Sequence, residues 1–413
     1  MNRSPRIDVA RLRQTLAGIN RFGFNPETGG YNRLGYSEAD MAARAWFENE
    51  MRASGLVVRR DAVANLFGRF GPDNGPRIMA GSHLDTVPEG GAFDGALGTC
   101  IGLECVRAMQ DAGLEPAHPI EVVATAEEEG RFGGMLGSRT MAGLVTREGI
   151  ESAAGPDGTT LSAAMAAHGL RALDALHAGL PEGHAKAWLE LHIEQGPVLE
   201  AAGIPVGIVS SVAGVCNLNI SFEGRANHSG TTPMHLRADA LAGLVAVSTA
   251  IAALIEENGT EHSRITIGKA DLYPNHVHTV PGRCEFVANI RDIDADIMRR
   301  LRDRIEGTAY KAANAHGLIC HVNETTWLDP VTLDPGLADL LRDEAARLGL
   351  RAKTMPSGAG HDAQTMQNLC PSALIFIPSR NGVSHSPEEW SDWAHVEQGA
   401  NLMLAALVRL SQA

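Results

Sequence analysis

The chain has 413 residues, of which 44% are apolar and 20% charged, and its formal net charge is −14. That length exceeds one ordinary compact core, so two domains are expected, and the composition is that of a globular protein in water. An acidic balance without any basic run argues against nucleic acid and against anionic membranes as partners.

In chain order, the stretch from Met1 to Leu16 carries four arginines but no apolar h-region, so no signal peptide is expected. Residues 37–54 read as a helix, with Ser37 as N-cap and Gly55 beyond its end. Residues 77–81 form a short apolar strand, 95–112 a helix rich in small residues, and 119–126 a strand of β-branched residues. Residues 188–193 and 372–378 are further strands. Strands separated by helices predict an α/β sheet with a substantial parallel part.

The middle of the chain reads differently. Strands over 216–223, 264–270, 284–291 and 318–326 are interleaved with long helices over 237–257 and 294–316. That β-α-β-β-α-β order is the order of a ferredoxin-like unit. It predicts an α+β insertion over residues 212–327, leaving 1–211 and 328–413 as one discontinuous domain. No apolar run reads as long enough to span a bilayer. The cysteines Cys100, Cys105, Cys216, Cys284, Cys320 and Cys370 are scattered without a C-x-x-C pair, as for free thiols in a reducing cytosol.

The chemistry gathers at the strand ends. His83 and Asp85 follow the first strand, and Asp94 opens the helix after a glycine-rich loop. Glu127, Glu128 and Glu129 follow the strand at 119–126. His192 lies in the strand at 188–193, with Glu194 and Gln195 just beyond, and Ser384 and His385 follow the last strand. Ligand sites in open α/β sheets collect at the carboxyl ends of strands, so five segments aim histidines or carboxylates at one region. Taken singly, each is a polar strand end; together they predict a metal site. Three adjacent acids after a buried strand repel one another unless a cation neutralises them. Three imidazoles with several carboxylates suit zinc or a neighbouring transition metal rather than calcium or magnesium. The same set suits two metals sharing a bridging carboxylate. Asp85, two residues after His83, is placed to accept the second imidazole N–H and fix its tautomer. A free glutamate beside the metals takes a proton from water and passes it to a leaving nitrogen.

With these residues the chain resembles the amidase, hydantoinase and carbamoylase family of di-zinc hydrolases, whose members act on N-carbamoyl-L-amino acids, allantoate and ureidopropionate. The resemblance runs from Gly35 to the end of the chain. It is carried by GSHLDTV at 81–87, FDGALG at 93–98, EEEG at 127–130, LHIEQGP at 191–197, NHSGTTPM at 227–234, SGAGHDA at 357–363 and SHSP at 384–387. It implies that His83, Asp94 and His192 hold one cation and that Glu129 and His385 hold another, with Asp94 bridging and Glu128 as general base and acid. Two divalent cations per subunit follow, zinc first, with manganese, cobalt or nickel as alternatives. Gln195, His228, His278, Arg291, Gly360 and His361 become substrate contacts. The Arg291 fork suits a substrate carboxylate; the competing reading pairs Arg291 with neighbouring Asp292. A homodimer through the inserted domain is implied, with His228 serving the partner's active site.

Two features depart from the family pattern. His278 stands where the family has a substrate-binding asparagine, which bears on substrate choice. One residue is missing between Gly130 and Arg131, beyond the ligands. The expected fold is therefore a mixed, largely parallel α/β catalytic domain with an inserted ferredoxin-like lid and dimerisation domain, which closes over the substrate when Arg291 engages its carboxylate. The expected activity is cytoplasmic hydrolysis of the carbamoyl C–N bond of an N-carbamoyl-L-amino acid or related ureido acid. Allantoate hydrolysis and N-acyl-amino-acid or dipeptide hydrolysis are the alternatives. Intact Glu128 and a full ligand set argue against a binding protein without catalysis.

Overall fold

The computed structural model describes residues 5–412, so the start of the arginine-bearing N-terminal stretch lies outside it. The chain divides into two compact units. One comprises the chain through Ser210 together with Leu333–Met355 and the segment from Gly360 onward; the other comprises Ser211–Thr332 and Pro356–Ala359.

In the first unit the sheet order is Val57–Arg60, Leu66–Phe70, Ile120–Thr125, Arg77–His83, Ala185–Ile193, Ser372–Ile377, Val206–Val212, with Ala352–Ser357 also pairing on the last of these. The four strands from Ile120–Thr125 to Ser372–Ile377 are mutually parallel, and antiparallel neighbours flank them on both sides. Every residue of Ile120–Thr125 and of Ser372–Ile377 is buried, as expected of parallel strands covered on both faces. Helices Val9–Ile19, Ala96–Asp111 and Trp393–Gln412 contribute Leu16, Leu103 and Leu404 to the core that also holds Leu189 and Ile375. Four parallel strands place four carboxyl ends on one edge of the sheet. His83, His192, the 127–129 loop and the 378–385 loop all start there.

Helix Glu38–Ala53 is capped by Ser37, whose hydroxyl accepts the Asp40 N–H. The first central strand runs to His83, two residues past the expected end, so His83 is itself a strand residue with a fixed direction. Helix Ala96–Asp111 begins after Gly95, which has φ 59°. A Cβ at Gly95 would overlap the His83 ring, so only glycine permits both this turn and this approach.

The second unit has an antiparallel sheet in the order Ile319–Leu328, Val215–Glu223, Arg283–Arg291, Arg264–Tyr273. Helices Ala240–Asn258 and Ala295–His316 bring Val247, Leu301 and Ile305 onto Leu218, Ile220, Phe222, Phe286 and Ile290. The mixed, largely parallel α/β sheet and the β-α-β-β-α-β unit are thus present as read. Pro356–Ala359, which the sequence reading assigned to the first unit, packs with the second; the Ala213 N–H donates to the Ser357 carbonyl at 2.9 Å.

One expectation needs correction. Ala240–Asn258 is 19 residues long with a mean hydropathy of 1.7, enough by length and composition to cross a membrane, and only 17% of it is buried. Its inner stripe of Ala240, Gly243 and Val247 packs on the sheet, while Val245 is 53% exposed. The uncharged stretch runs only between Asp239 and Glu256, and the helix reaches its full length by including Glu256 and Glu257 at its end. The six cysteines are free thiols, as expected.

Candidate metal centre

Asp94 is the hub of the expected constellation. Its Oδ1 lies 3.2 Å from His83 Nε2 and 3.0 Å from His192 Nε2, and its Oδ2 lies 3.4 Å from His385 Nε2. Glu129 Oε2 is 3.4 Å from the same His385 nitrogen. The donors form two groups, His83–Asp94–His192 and Asp94–Glu129–His385, with the ligand atoms of each within 4.8 Å of one another. Both groups contain Asp94.

The two buried histidines are held in one tautomer. His83 Nδ1 faces the Asp85 main-chain oxygen at 3.0 Å, and His192 Nδ1 faces the Ile193 oxygen at 2.9 Å. A carbonyl only accepts, so each Nδ1 carries its proton and each Nε2 offers a lone pair to the centre. This corrects the role read for Asp85. Its carboxylate stays 3.9 Å from His83 Nδ1. It accepts instead the main-chain N–H groups of Glu128 at 3.2 Å and Glu129 at 3.1 Å. The turn after Thr125 would otherwise bury those amides unpaired, a cost of about 1–3 kcal/mol each.

The acidic triplet divides. Glu127 is 1% exposed, and its carboxylate accepts the Phe132 N–H at 2.6 Å, in neither ligand group. Burial pushes it up to about 8. Backbone donors, not a cation, accommodate this acid, which corrects the reading that all three needed one. Glu129 Oε1 is buried without a hydrogen-bond partner, and burial with the nearby Asp94 charge pushes this carboxyl up to about 7. Glu128 lies outside both groups, with Oε2 3.7 Å from His83 Nε2. Its carboxyl is held well above the usual range, by burial first, with Glu129 adding to it against the pull of His83. Burial also works to raise Asp94, but His192, His385 and His83 overcome it and hold Asp94 well below the usual range. Convergent imidazole lone pairs, a carboxylate common to both groups and an orphaned buried oxygen are the donor set of a divalent cation site.

Other expected residues take definite places. Gln195, with φ 57°, donates from Nε2 to Asp94 Oδ2 at 2.7 Å. His361 is buried edge-on against His192 and Phe376, with ring centroids 4.5 and 5.4 Å away. Gly360 is half-buried beside the Met135 side chain. In the second unit, exposed His228 accepts the Gly230 and Thr231 N–H groups at Nδ1, at 3.1 and 3.2 Å, which leaves its N–H on Nε2. His278 is exposed beside His276. Arg291 donates to Asn289 Oδ1 at 3.0 Å and to the Gly358 carbonyl at 2.7 Å. Its neighbour Asp292 is buried and accepts Ser263 Oγ at 2.5 Å and Thr260 Oγ1 at 2.8 Å. The Arg291–Asp292 pair is therefore absent, and Arg291 forms no ion pair among the described residues.

Sequence reading missed Glu389 and Arg44. Glu389 follows the SHSP segment and Arg44 lies in the helix read over residues 37–54, and local spacing marks neither as part of the centre. Both are buried, and both act on main-chain groups near the centre.

Sheet, inserted unit and donor set together define a metal-dependent hydrolase. The family described as Peptidase family M20/M25/M40 matches residues 79–409, and the chain belongs to it. It is 37% identical to the N-carbamoyl-L-amino-acid amidohydrolase of Paenarthrobacter aurescens over 98% of this chain and 99% of that one. It is 33% identical to the allantoate amidohydrolase of Escherichia coli (strain K12) over 97% of each. Among solved structures, an amidase of the hydantoinase/carbamoylase family from Burkholderia multivorans superposes with a TM-score of 0.91 at 32% identity, covering 100% of both chains.

Proposed function

We propose that the protein hydrolyses the carbamoyl C–N bond of an N-carbamoyl-L-amino acid or a closely related ureido acid. The observation that carries this is the sharing of Asp94 between two ligand groups with Glu128 standing free beside them. The donor set fits two divalent cations, zinc first, with manganese, cobalt or nickel as alternatives. When bound there, such cations polarise a carbonyl and acidify water. Glu128 takes the proton of the attacking water and delivers it to the amino nitrogen as the C–N bond breaks. The products are the free amino acid and carbamate, which decomposes to carbon dioxide and ammonia. The Nε2–H of His228 donates to the carbonyl oxygen as negative charge develops on it. Arg291, without a carboxylate partner among the described residues, receives the substrate carboxylate. Gln195, His278, Gly360 and His361 complete the substrate contacts.

A homodimer through the second unit is part of the same reading, and the uncovered apolar side of Ala240–Asn258, with Val245 at its centre, supports a second copy as its occupant. Six free thiols support a reducing, cytoplasmic setting. The decisive experiment is a panel of N-carbamoyl, N-formyl and N-acetyl amino acids together with allantoate, assayed for ammonia and amino-acid release. Turnover of N-carbamoyl-L-amino acids is expected. Turnover of allantoate alone would move the reading to the second relative's substrate, and turnover of N-acetyl substrates alone would remove the carbamoyl specificity. Light scattering on the intact protein and on Val245→Glu checks the dimer, which the charge should dissociate.

A further inference from the structure

Glu389 ties together two loops that are almost three hundred residues apart. Its Oε1 accepts the main-chain N–H of Phe93 at 2.9 Å and of Asp94 at 3.0 Å. Its Oε2 accepts the Ser384 hydroxyl at 2.8 Å, and that same hydroxyl lies 3.2 Å from Asp94 Oδ2. One carboxylate therefore grips the backbone of the shared ligand Asp94 and the residue before the ligand His385. Glu389 is only 3% exposed, so its bonds are poorly screened. Two further features build the grip. Gly91 has no side chain, and a Cβ there would overlap the Glu389 carboxylate. Phe93, between the two bonded amides, is wedged against Trp390 and Trp393 with ring centroids 5.2 and 6.0 Å away.

We propose that Glu389 is a positioning residue for the metal centre: it sets the distance between Asp94 and His385, and so the affinity of the Asp94–Glu129–His385 group for a divalent cation. The inference rests on the metal reading given above. His385 follows that bonded segment with φ 53°, and its ring is met from the other side by Gln195 Nε2 at 3.2 Å. Partners of metal ligands typically contribute about 10- to 100-fold in affinity or activity. Gln at this position keeps the acceptor for both amides, and its amide N–H can donate to Ser384, whose hydroxyl then turns to Asp94. Ala keeps neither.

The test titrates zinc into chelator-stripped wild-type, Glu389→Gln, Glu389→Ala and Gly91→Ala protein, with thermal melts with and without zinc and steady-state kinetics. Glu389→Ala is expected to bind one of two zinc ions roughly 10- to 100-fold more weakly, to lose part of the zinc-induced rise in Tm, and to show a fall in kcat with KM nearly unchanged. Glu389→Gln should retain most of all three, and Gly91→Ala should move in the direction of Glu389→Ala. Unchanged zinc affinity in Glu389→Ala overturns the proposal, as does an equal drop in Tm with and without zinc, which marks a merely structural role. If Glu389→Ala does not fold, wild-type affinity in both Gly91→Ala and Ser384→Ala overturns it. Failure of the wild-type protein to bind zinc sinks the metal reading itself, a result distinct from any of these.

Discussion

Asp85 Oδ2 accepts the main-chain N–H of Glu129 at 3.1 Å, while the Asp85 carbonyl faces His83 Nδ1 at 3.0 Å. One residue thus orients a ligand of each proposed group, through two different atoms. Asp85→Ala should leave the Glu128 and Glu129 amides without their acceptor and keep the carbonyl that holds His83. We expect a loss of roughly 10- to 100-fold in kcat or in affinity for one metal, with Asp85→Asn intermediate because its single amide oxygen still accepts one of the two N–H groups. Metal titration and kinetics on the pair check this; equal behaviour of both variants and wild type would remove Asp85 from the site.

Glu128 contributes to neither ligand group yet stands beside His83. Glu128→Gln is expected to keep metal content and KM and to lose about 10²- to 10⁴-fold in kcat. Elemental analysis alongside steady-state kinetics separates loss of the base from loss of metal. Retained turnover would assign the proton transfer elsewhere.

Stripping the metals should abolish activity, and a divalent cation should restore it. Cations that bind only the folded chain also stabilise it, by about 2.7 kcal/mol at a hundred times their dissociation constant. A Tm that rises with added zinc, together with a stoichiometry of two per chain, is the expected result. Activity that survives exhaustive chelation would contradict it.

Among the described residues, Arg291 donates only to neutral oxygens. Arg291→Lys should lower kcat/KM for carboxylate substrates by roughly 10- to 100-fold, the worth of about 1.5–3 kcal/mol in a hydrogen bond to a charged group. The same substrate converted to its amide should be poor for wild type and little affected by the substitution. Equal kcat/KM for acid and amide would place the carboxylate elsewhere.

Arg44 is fully buried, with Nε 2.8 Å from Asp40 Oδ1, Nη2 2.7 Å from the Thr125 carbonyl and Nη2 3.8 Å from Asp85 Oδ1. Arg44→Met strands two acids in the core and should cost about 3–5 kcal/mol. Chemical denaturation should show a lower midpoint at an unchanged slope. An unchanged midpoint would mean that the acids are neutralised some other way.

The chemistry was legible in the sequence because strand ends in a parallel sheet are forced together. Once Ile120–Thr125, Arg77–His83, Ala185–Ile193 and Ser372–Ile377 are read as strands, their carboxyl ends share an edge, and His83, Glu129, His192 and His385 follow. The inserted unit was legible for a similar reason, since its alternating strands and long helices repeat a known order. Which atom bonds which was not legible. That Asp85 uses its carbonyl for His83 and its carboxylate for two amides depends on how the 127–129 loop folds back, and periodicity carries no such information. Glu127 looked identical to Glu129 in sequence; a left-handed backbone at Glu127, φ 55°, turns it toward Phe132 instead. Glu389 was invisible because its partners Phe93 and Asp94 lie 296 and 295 positions away. Residue types and local spacing determine which groups reach the site, but only tertiary contact decides which buried donor meets which acceptor, because each such pair is chosen by leaving the fewest polar atoms unpaired across the whole core.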